Sequence, residues 1–157
     1  MIIQTAIQVY QDIEGLKKED QELLNIAHQN IEKAYAPYSQ FRVGAAVRLK
    51  NGAIVGGSNQ ENAAYPMCLC AEPAALAAAA SAHPNIPIDS IAIAVKHPSK
   101  TIKEPAAPCG SCRQVLSEME DRYKQPIAII LQGETGVIYK ISSAKDLLPL
   151  SFNSGFL

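Results

Sequence analysis

Three cysteines and one glutamate constrain this 157-residue chain more than any other feature of its sequence. Glu72 follows Cys70 by two positions, and Cys109 and Cys112 lie three residues apart much further along. A catalytic zinc ion takes three protein ligands and keeps a fourth position for water, whereas a structural zinc ion is closed by four. The sequence therefore predicts one catalytic zinc ion per subunit, bound by Cys70, Cys109 and Cys112.

Both cysteine groups are expected where a helix begins. Residues at i and i+3 share a helix face, so Cys109 and Cys112 present their thiolates together. Residues at i and i+2 do not, so Cys70 and Glu72 converge only if Cys70 precedes the first turn of its helix. Pro73 fits this placement, because proline is tolerated in a first helical turn. The positive ends of both helices then lower the pKa of the thiols.

The two cysteine segments resemble those of the cytidine deaminase family, in its small homotetrameric form with three cysteine ligands. A ligand-x-Glu segment followed by Pro-Cys-x-x-Cys is the known signature of zinc deaminases. The resemblance continues in chain order through residues 36–46, 59–63 and 147–149, and it reaches Phe152. It therefore covers most of the chain.

The resemblance implies an α/β protein with a three-layer α/β/α arrangement around a mixed five-stranded sheet. Residues 1–157 would form one catalytic domain, with residues 1–18 as an N-terminal extension outside the resemblance. Alternation in this extension predicts an additional edge strand containing Ile3, Thr5, Ile7 and Val9.

Periodicity predicts the remaining elements. Helices are expected over 20–35, with Asp20 as the N-cap, and over 71–82 and 110–123. Strands are expected over 41–49, 53–57, 126–131 and 137–141 and within 86–96, and Asn51-Gly52 is a hairpin signal.

The resemblance also implies a role for each site residue. Glu72 would carry protons from the attacking water to the pyrimidine and its departing amino group. A glutamate in the first turn of a helix, taken alone, is more often a common acidic residue with no catalytic role. Asn59 and Glu61 would clamp a ribose hydroxyl. The backbone N–H of Ala71 would bind the pyrimidine carbonyl oxygen.

Two aromatic residues have competing interpretations. Phe41 would stack near the base by resemblance, but a lone phenylalanine in a strand is more often a core residue. Phe152 would reach the pyrimidine of a neighbouring subunit, or it could pack into its own core.

Three thiolates around a dication leave an excess of negative charge. In similar deaminases an arginine directly after the glutamate offsets it, and here Pro73 occupies that position. Arg113, next to Cys112, is a candidate for the missing cation and equally a candidate for a surface salt bridge. Cys68 matches no ligand position and is interpreted as a small buried residue.

Composition favours a free nucleoside, the substrate that the resemblance implies, over a nucleic acid. The net charge is −1 with no basic stripe, which argues against a nucleic-acid substrate. The longest apolar run, 74–80, is too short to span a membrane. Four cysteines without an export signal favour a cytoplasmic protein with metal ligands over disulfides.

The expected activity is zinc-dependent hydrolytic deamination of cytidine and 2′-deoxycytidine in pyrimidine salvage. Two alternatives remain within the superfamily, a blasticidin S deaminase and a guanine deaminase. The Asn59–Glu61 pair argues against both, because it implies recognition of a free sugar hydroxyl. A third is a non-catalytic, zinc-stabilised module that binds nucleoside or a partner protein.

Overall fold

A mixed six-stranded sheet forms the centre of the computed structural model, which describes residue 2 and residues 4–157. Ile3, part of the predicted leader strand, lies outside the described residues. The strands are β1 (Ile7–Tyr10), β2 (Arg42–Leu49), β3 (Ile54–Ser58), β4 (Ile88–Lys96), β5 (Ala128–Gln132) and β6 (Ile138–Ile141). The α-helices are α1 (Lys18–Ile31), α2 (Ala71–Ala82) and α3 (Gly110–Tyr123).

The strand order across the sheet is β1-β6-β5-β4-β2-β3. The β4–β5 pair is parallel and every other pair is antiparallel, so the sheet is mixed as predicted. The sheet has six strands and not five because the leader strand joins it: β1 pairs with β6, with Ile7 opposite Ile141 and Tyr10 opposite Ile138.

Alternating side chains divide the core between the two faces of the sheet. Ala45, Ile91 and Ile93 belong to the cluster that contains residues of α2 and Leu116 of α3. Ala46, Ala92 and Ala94 belong to the cluster with α1. Since side chains alternate along a strand, each face receives its own apolar set and the predicted three layers result.

The helices approach the sheet at glycines. A Cβ at Gly44 would lie 2.1 Å from the carbonyl oxygen of Ala27 in α1. A Cβ at Gly57 would lie 2.7 Å from the carbonyl oxygen of Ala71 and 2.5 Å from the amide nitrogen of Ala75, both in α2. The first turn of α2 therefore rests on the main chain of β3.

The first helix is shorter at its C-terminal end than predicted, and its start was also misplaced. It begins at Lys18, so Asp20 lies in the first turn, where it pairs with Lys140, and is not the N-cap. It ends at Ile31 because the chain then turns to let Tyr35 pair with the segment after β3. None of the helices in the described residues combines the length and apolarity needed to cross a membrane.

Candidate active site

The cysteine sulfurs meet where two helices begin. Cys70 is the N-cap of α2 and Cys109 is the N-cap of α3, and both have extended backbone conformations. The sulfurs of Cys70, Cys109 and Cys112 all lie within 4.8 Å of one another. Neither N-cap side chain accepts a capping hydrogen bond from the backbone N–H groups of its helix. The sulfurs therefore lie at the positive ends of two helices.

The donor set fits zinc. With Zn–S bonds of about 2.3 Å in a tetrahedron, two ligand sulfurs would be about 3.8 Å apart. The Cys109 and Cys112 sulfurs are 3.4 Å apart, and the other separations stay below the 4.8 Å limit. Three thiolates leave one tetrahedral position for another molecule, which is the arrangement of catalytic sites.

Hydrogen bonding among the thiols favours a thiolate at Cys70. The thiol of Cys112 donates to the Cys70 sulfur, and this lowers the pKa of Cys70 to about 7. The same bond, together with burial, raises the pKa of Cys112.

Glu72 lies beside the sulfurs and is removed from water. It is the second residue of α2 and only 5% exposed. Burial raises the pKa of its carboxyl group, against weaker opposing hydrogen bonds from its own amide and from Cys112. A carboxyl group whose pKa is raised toward neutrality can both accept and return protons.

A cavity of about 340 Å³ opens above this cluster. Among the described residues, its lining includes two carboxylates and four thiols, three of them clustered, but no lysine, arginine or histidine. The predicted residues that line it are Phe41, Asn59, Glu61, Cys70, Glu72, Cys109 and Cys112.

Glu61 is held at one wall of the cavity by the turn before β2. Its carboxylate accepts from the amides of Tyr38 (2.8 Å) and Ser39 (3.2 Å) and from the Ser39 hydroxyl. The Ser39 hydroxyl bond is the main cause of a lowered pKa at Glu61. The carboxylate is therefore ionised and fixed in orientation.

Asn59 lies beside it but is partly engaged with the main chain. Its Oδ1 accepts from the amide of Val43 at 2.8 Å, and its Nδ2 donates to the carbonyl of Phe41 at 2.9 Å. Between Asn59 and Glu61, Gln60 exchanges two backbone hydrogen bonds with Leu69, of 2.8 and 2.9 Å. This bridge fixes the Asn59–Glu61 pair relative to the segment that leads into Cys70.

Three other predicted residues have different outcomes. Ala71 is buried as the first residue of α2, so its side chain does not line the cavity. Phe152 is 59% exposed, outside the cavity of its own chain, and stacks on Phe156 with ring centroids 5.6 Å apart. Its own-core alternative is therefore wrong. Cys68 was also interpreted wrongly: it is exposed at the cavity wall, where its sulfur accepts from the amide of Asn62 at 3.2 Å.

Sequence reasoning overlooked the residues that support the site. Ser39 orients the carboxylate of Glu61, and the backbone of Gln60 bonds to that of Leu69. Ala106 and Ala107 form part of the wall just before the second cysteine segment. Only the order of the matching segments hinted at Ser39, since no local pattern pairs it with a residue 22 positions away.

The comparisons with known proteins agree with this geometry. The family model for the cytidine and deoxycytidylate deaminase zinc-binding region matches residues 17–125. A cytidine deaminase of Halalkalibacterium halodurans is 40% identical over 134 residues, which cover 85% of this chain and 94% of that protein. A blasticidin-S deaminase of Bacillus cereus is 29% identical over 143 residues, covering 88% and 95%.

A solved structure shows the same likeness in three dimensions. The 1.6 Å crystal structure of cytidine deaminase from Burkholderia pseudomallei is similar with a TM-score of 0.73 and 40% sequence identity. The match covers 83% of this chain and 97% of that one. The three sulfurs, the buried glutamate and the matched sequence lead to one conclusion: this chain belongs to the cytidine and deoxycytidylate deaminase family of zinc-binding proteins.

Proposed function

We propose that the protein catalyses the hydrolytic deamination of cytidine and 2′-deoxycytidine to uridine and 2′-deoxyuridine, with release of ammonia, in pyrimidine salvage. The observation that carries the proposal is a buried carboxyl group, Glu72, next to three clustered thiols on the floor of a cavity. Zinc bound to Cys70, Cys109 and Cys112 would supply a Lewis acid that makes water nucleophilic near neutral pH.

Glu72 is the residue that moves protons in this proposal. Its carboxylate takes one proton from the attacking water and delivers it to N3 of the pyrimidine. It then takes the second proton of that water, from the hydroxyl now bonded to C4, and gives it to the amino nitrogen as the C4–N bond breaks and ammonia leaves. The pKa of Glu72, raised by burial, suits both halves of this exchange. The backbone N–H of Ala71, in the first turn of α2, would donate to the pyrimidine carbonyl oxygen.

The ribose is proposed to bind at the wall of the cavity that carries Asn59 and Glu61. The ionised, fixed carboxylate of Glu61 accepts from a sugar hydroxyl, and the Asn59 amide keeps one N–H for the same group. Phe41 lines the cavity and would stack near the base.

We expect Glu61→Gln to raise the KM for cytidine by roughly ten- to a hundredfold, because a hydrogen bond to a charged group contributes about 1.5–3 kcal/mol. The kcat should change less, since the ribose does not react. Steady-state kinetics measure both constants. Glu14→Gln, an exposed carboxylate in the extension, is the matched control and should leave both unchanged. An unchanged KM in Glu61→Gln would remove this residue from the ribose site.

A substrate panel tests the proposed reaction itself. We expect ammonia release from cytidine and 2′-deoxycytidine, and none above background from blasticidin S or guanine. Cytidine 5′-monophosphate should react on the order of a hundredfold more slowly. The doubly charged phosphate group, about 10 Å from one carboxylate of the cavity, would be repelled by about 3 kcal/mol at an effective dielectric constant of about 20. The cavity lining offers no cation to offset this repulsion.

The alternatives are decided by the same panel. Faster turnover of blasticidin S would place the protein with the Bacillus cereus relative, and faster turnover of guanine would identify a purine deaminase. No turnover of any compound by a zinc-loaded protein would favour a binding module.

We further propose one catalytic domain over residues 1–157 with residues 1–18 as an extension, assembled as a homotetramer in the cytoplasm. The exposed C-terminal side chains of Leu150, Phe152 and Phe156 support an assembly, because exposed apolar groups mark interaction sites and the rings of Phe152 and Phe156 stack on each other. The four free cysteines support a reducing compartment. Light scattering tests the assembly, and a monomer that persists at all concentrations contradicts it; cell fractionation tests the location.

A further inference from the structure

Arg113, the residue after Cys112, ties together two distant parts of the main chain. Its Nε donates to the carbonyl oxygen of Pro108 at 2.8 Å, and one terminal nitrogen donates to that of Leu147 at 2.9 Å. Within the described part of the chain, it has no carboxylate at ion-pair distance and no hydrogen bond to a cysteine sulfur. The predicted surface salt bridge is therefore wrong.

The Leu147 carbonyl belongs to a segment that is fixed along α3. Leu147 ends the 3₁₀ turn Ala144–Leu147. Glu120, only 5% exposed, accepts from the Ala144 amide at 2.7 Å and from the Ser143 hydroxyl at 2.8 Å. Lys145 pairs with Asp121 on the same helix. Arg113 therefore links the Pro108 carbonyl to a firm support.

Pro108 and Cys109 form the turn before α3, called here the ligand turn. Within the described part of the chain, its side-chain hydrogen bonds are the contact between the Cys109 and Cys112 sulfurs and the bond from Arg113 to the Pro108 carbonyl. Cys109 has no side-chain capping bond, and a Cβ at Gly110 would meet nothing within 4 Å. The start of α3 is thus open on its outer side. The guanidinium of Arg113 is the side-chain contact that holds the carbonyl immediately before Cys109.

We propose that Arg113 is a positioning residue of the metal site: by holding Pro108 against Leu147 it keeps the Cys109 sulfur in place for the bound ion. The inference rests on the proposed function in taking zinc as that ion. A guanidinium offers donors in a rigid, planar fork, whereas a lysine ammonium is a flexible point charge. Arg113→Lys therefore preserves the charge and loses the two-point link.

The test compares Arg113→Lys and Arg113→Gln with Arg122→Lys and Arg122→Gln. Arg122 is the matched control, because it is exposed on the same helix and only lies over the Tyr123 ring. Zinc release to a coloured chelator should become about tenfold faster in both Arg113 variants, the lower end of what supports of metal ligands contribute. The visible bands of the cobalt-substituted protein should shift in both, since they report ligand geometry.

Neither readout requires turnover, so an absence of deamination would leave this inference testable. Wild-type zinc release in Arg113→Lys, with fast release only in Arg113→Gln, would overturn positioning in favour of charge compensation. Unchanged release and cobalt spectra in both variants, even with a lower melting temperature, would reduce Arg113 to a general structural residue and overturn it too. Release that is equally fast in the Arg122 variants would also overturn it.

Discussion

Glu72→Gln should lower kcat for cytidine by at least about 10³-fold, because general acid–base catalysis contributes roughly 10² to 10⁴ and this carboxyl group is proposed to serve several proton transfers. The substitution keeps the shape of the side chain but removes its ability to exchange a proton. Zinc content should remain one ion per chain, since Glu72 is not one of the three clustered cysteines that are proposed to bind it. The decrease in cytidine absorbance gives the rate, and elemental analysis gives the metal.

Glu19→Gln is the matched control for this change. Glu19 is also the second residue of its helix, but it is exposed and far along the chain from the cysteines. It should have wild-type kinetics. Residual activity of Glu72→Gln within tenfold of wild type would contradict the proton-carrying role, and loss of its zinc would show that the glutamate supports the metal instead.

Cys112→Ser should abolish both zinc binding and activity. Cys112 is the most buried of the three sulfurs, at 2% exposure, so no water can easily substitute for it. A hydroxyl group binds zinc far more weakly than a thiolate. Binding at a thousandfold excess over Kd stabilises a fold by about 4 kcal/mol, so the melting temperature should fall on the order of 10 °C. Calorimetry should show the same melting temperature in the variant and in chelator-treated wild type.

Cys68→Ser separates ligand loss from thiol loss. Cys68 lies at the cavity wall but outside the sulfur cluster, so its replacement should leave one zinc ion per chain. If Cys68→Ser released zinc as Cys112→Ser does, the ligand set would have to include a fourth cysteine, and the site would be closed rather than catalytic.

The cluster of cysteine sulfurs could be predicted because its geometry depends on residues that are close together in the sequence. The spacing of Cys109 and Cys112, and the proline after Glu72, place the sulfurs at helix starts without any knowledge of the rest of the fold. The alternation in the leader, at Ile7 and Val9, likewise predicted the edge strand β1, outside the segments that carry the family resemblance. Roles for individual substrate-binding residues came from family resemblance and stay predictions.

Other features depend on contacts between distant segments. Ser39 sets the orientation of the Glu61 carboxylate, and Arg113 bonds to the carbonyl of Leu147. No periodicity or residue spacing in the sequence predicts either contact. The end of α1 was misplaced for the same reason, since pairing of Tyr35 with the segment after β3 outweighs helix propensity. The exposure of Cys68 was missed because small sulfur residues are usually buried.

The close packing of α2 against Gly57 has a consequence for how such an enzyme can acquire new substrate specificities. A Cβ at Gly57 would collide with the main chain of α2, so this close approach fixes the depth of Cys70 and Glu72 relative to β3. Ala106 and Ala107, in contrast, belong to the connection between β4 and α3 and face the same cavity. Selection for a bulkier or smaller base can therefore act on that connection while the chemistry is inherited unchanged, and a library for directed evolution should begin at these two alanines.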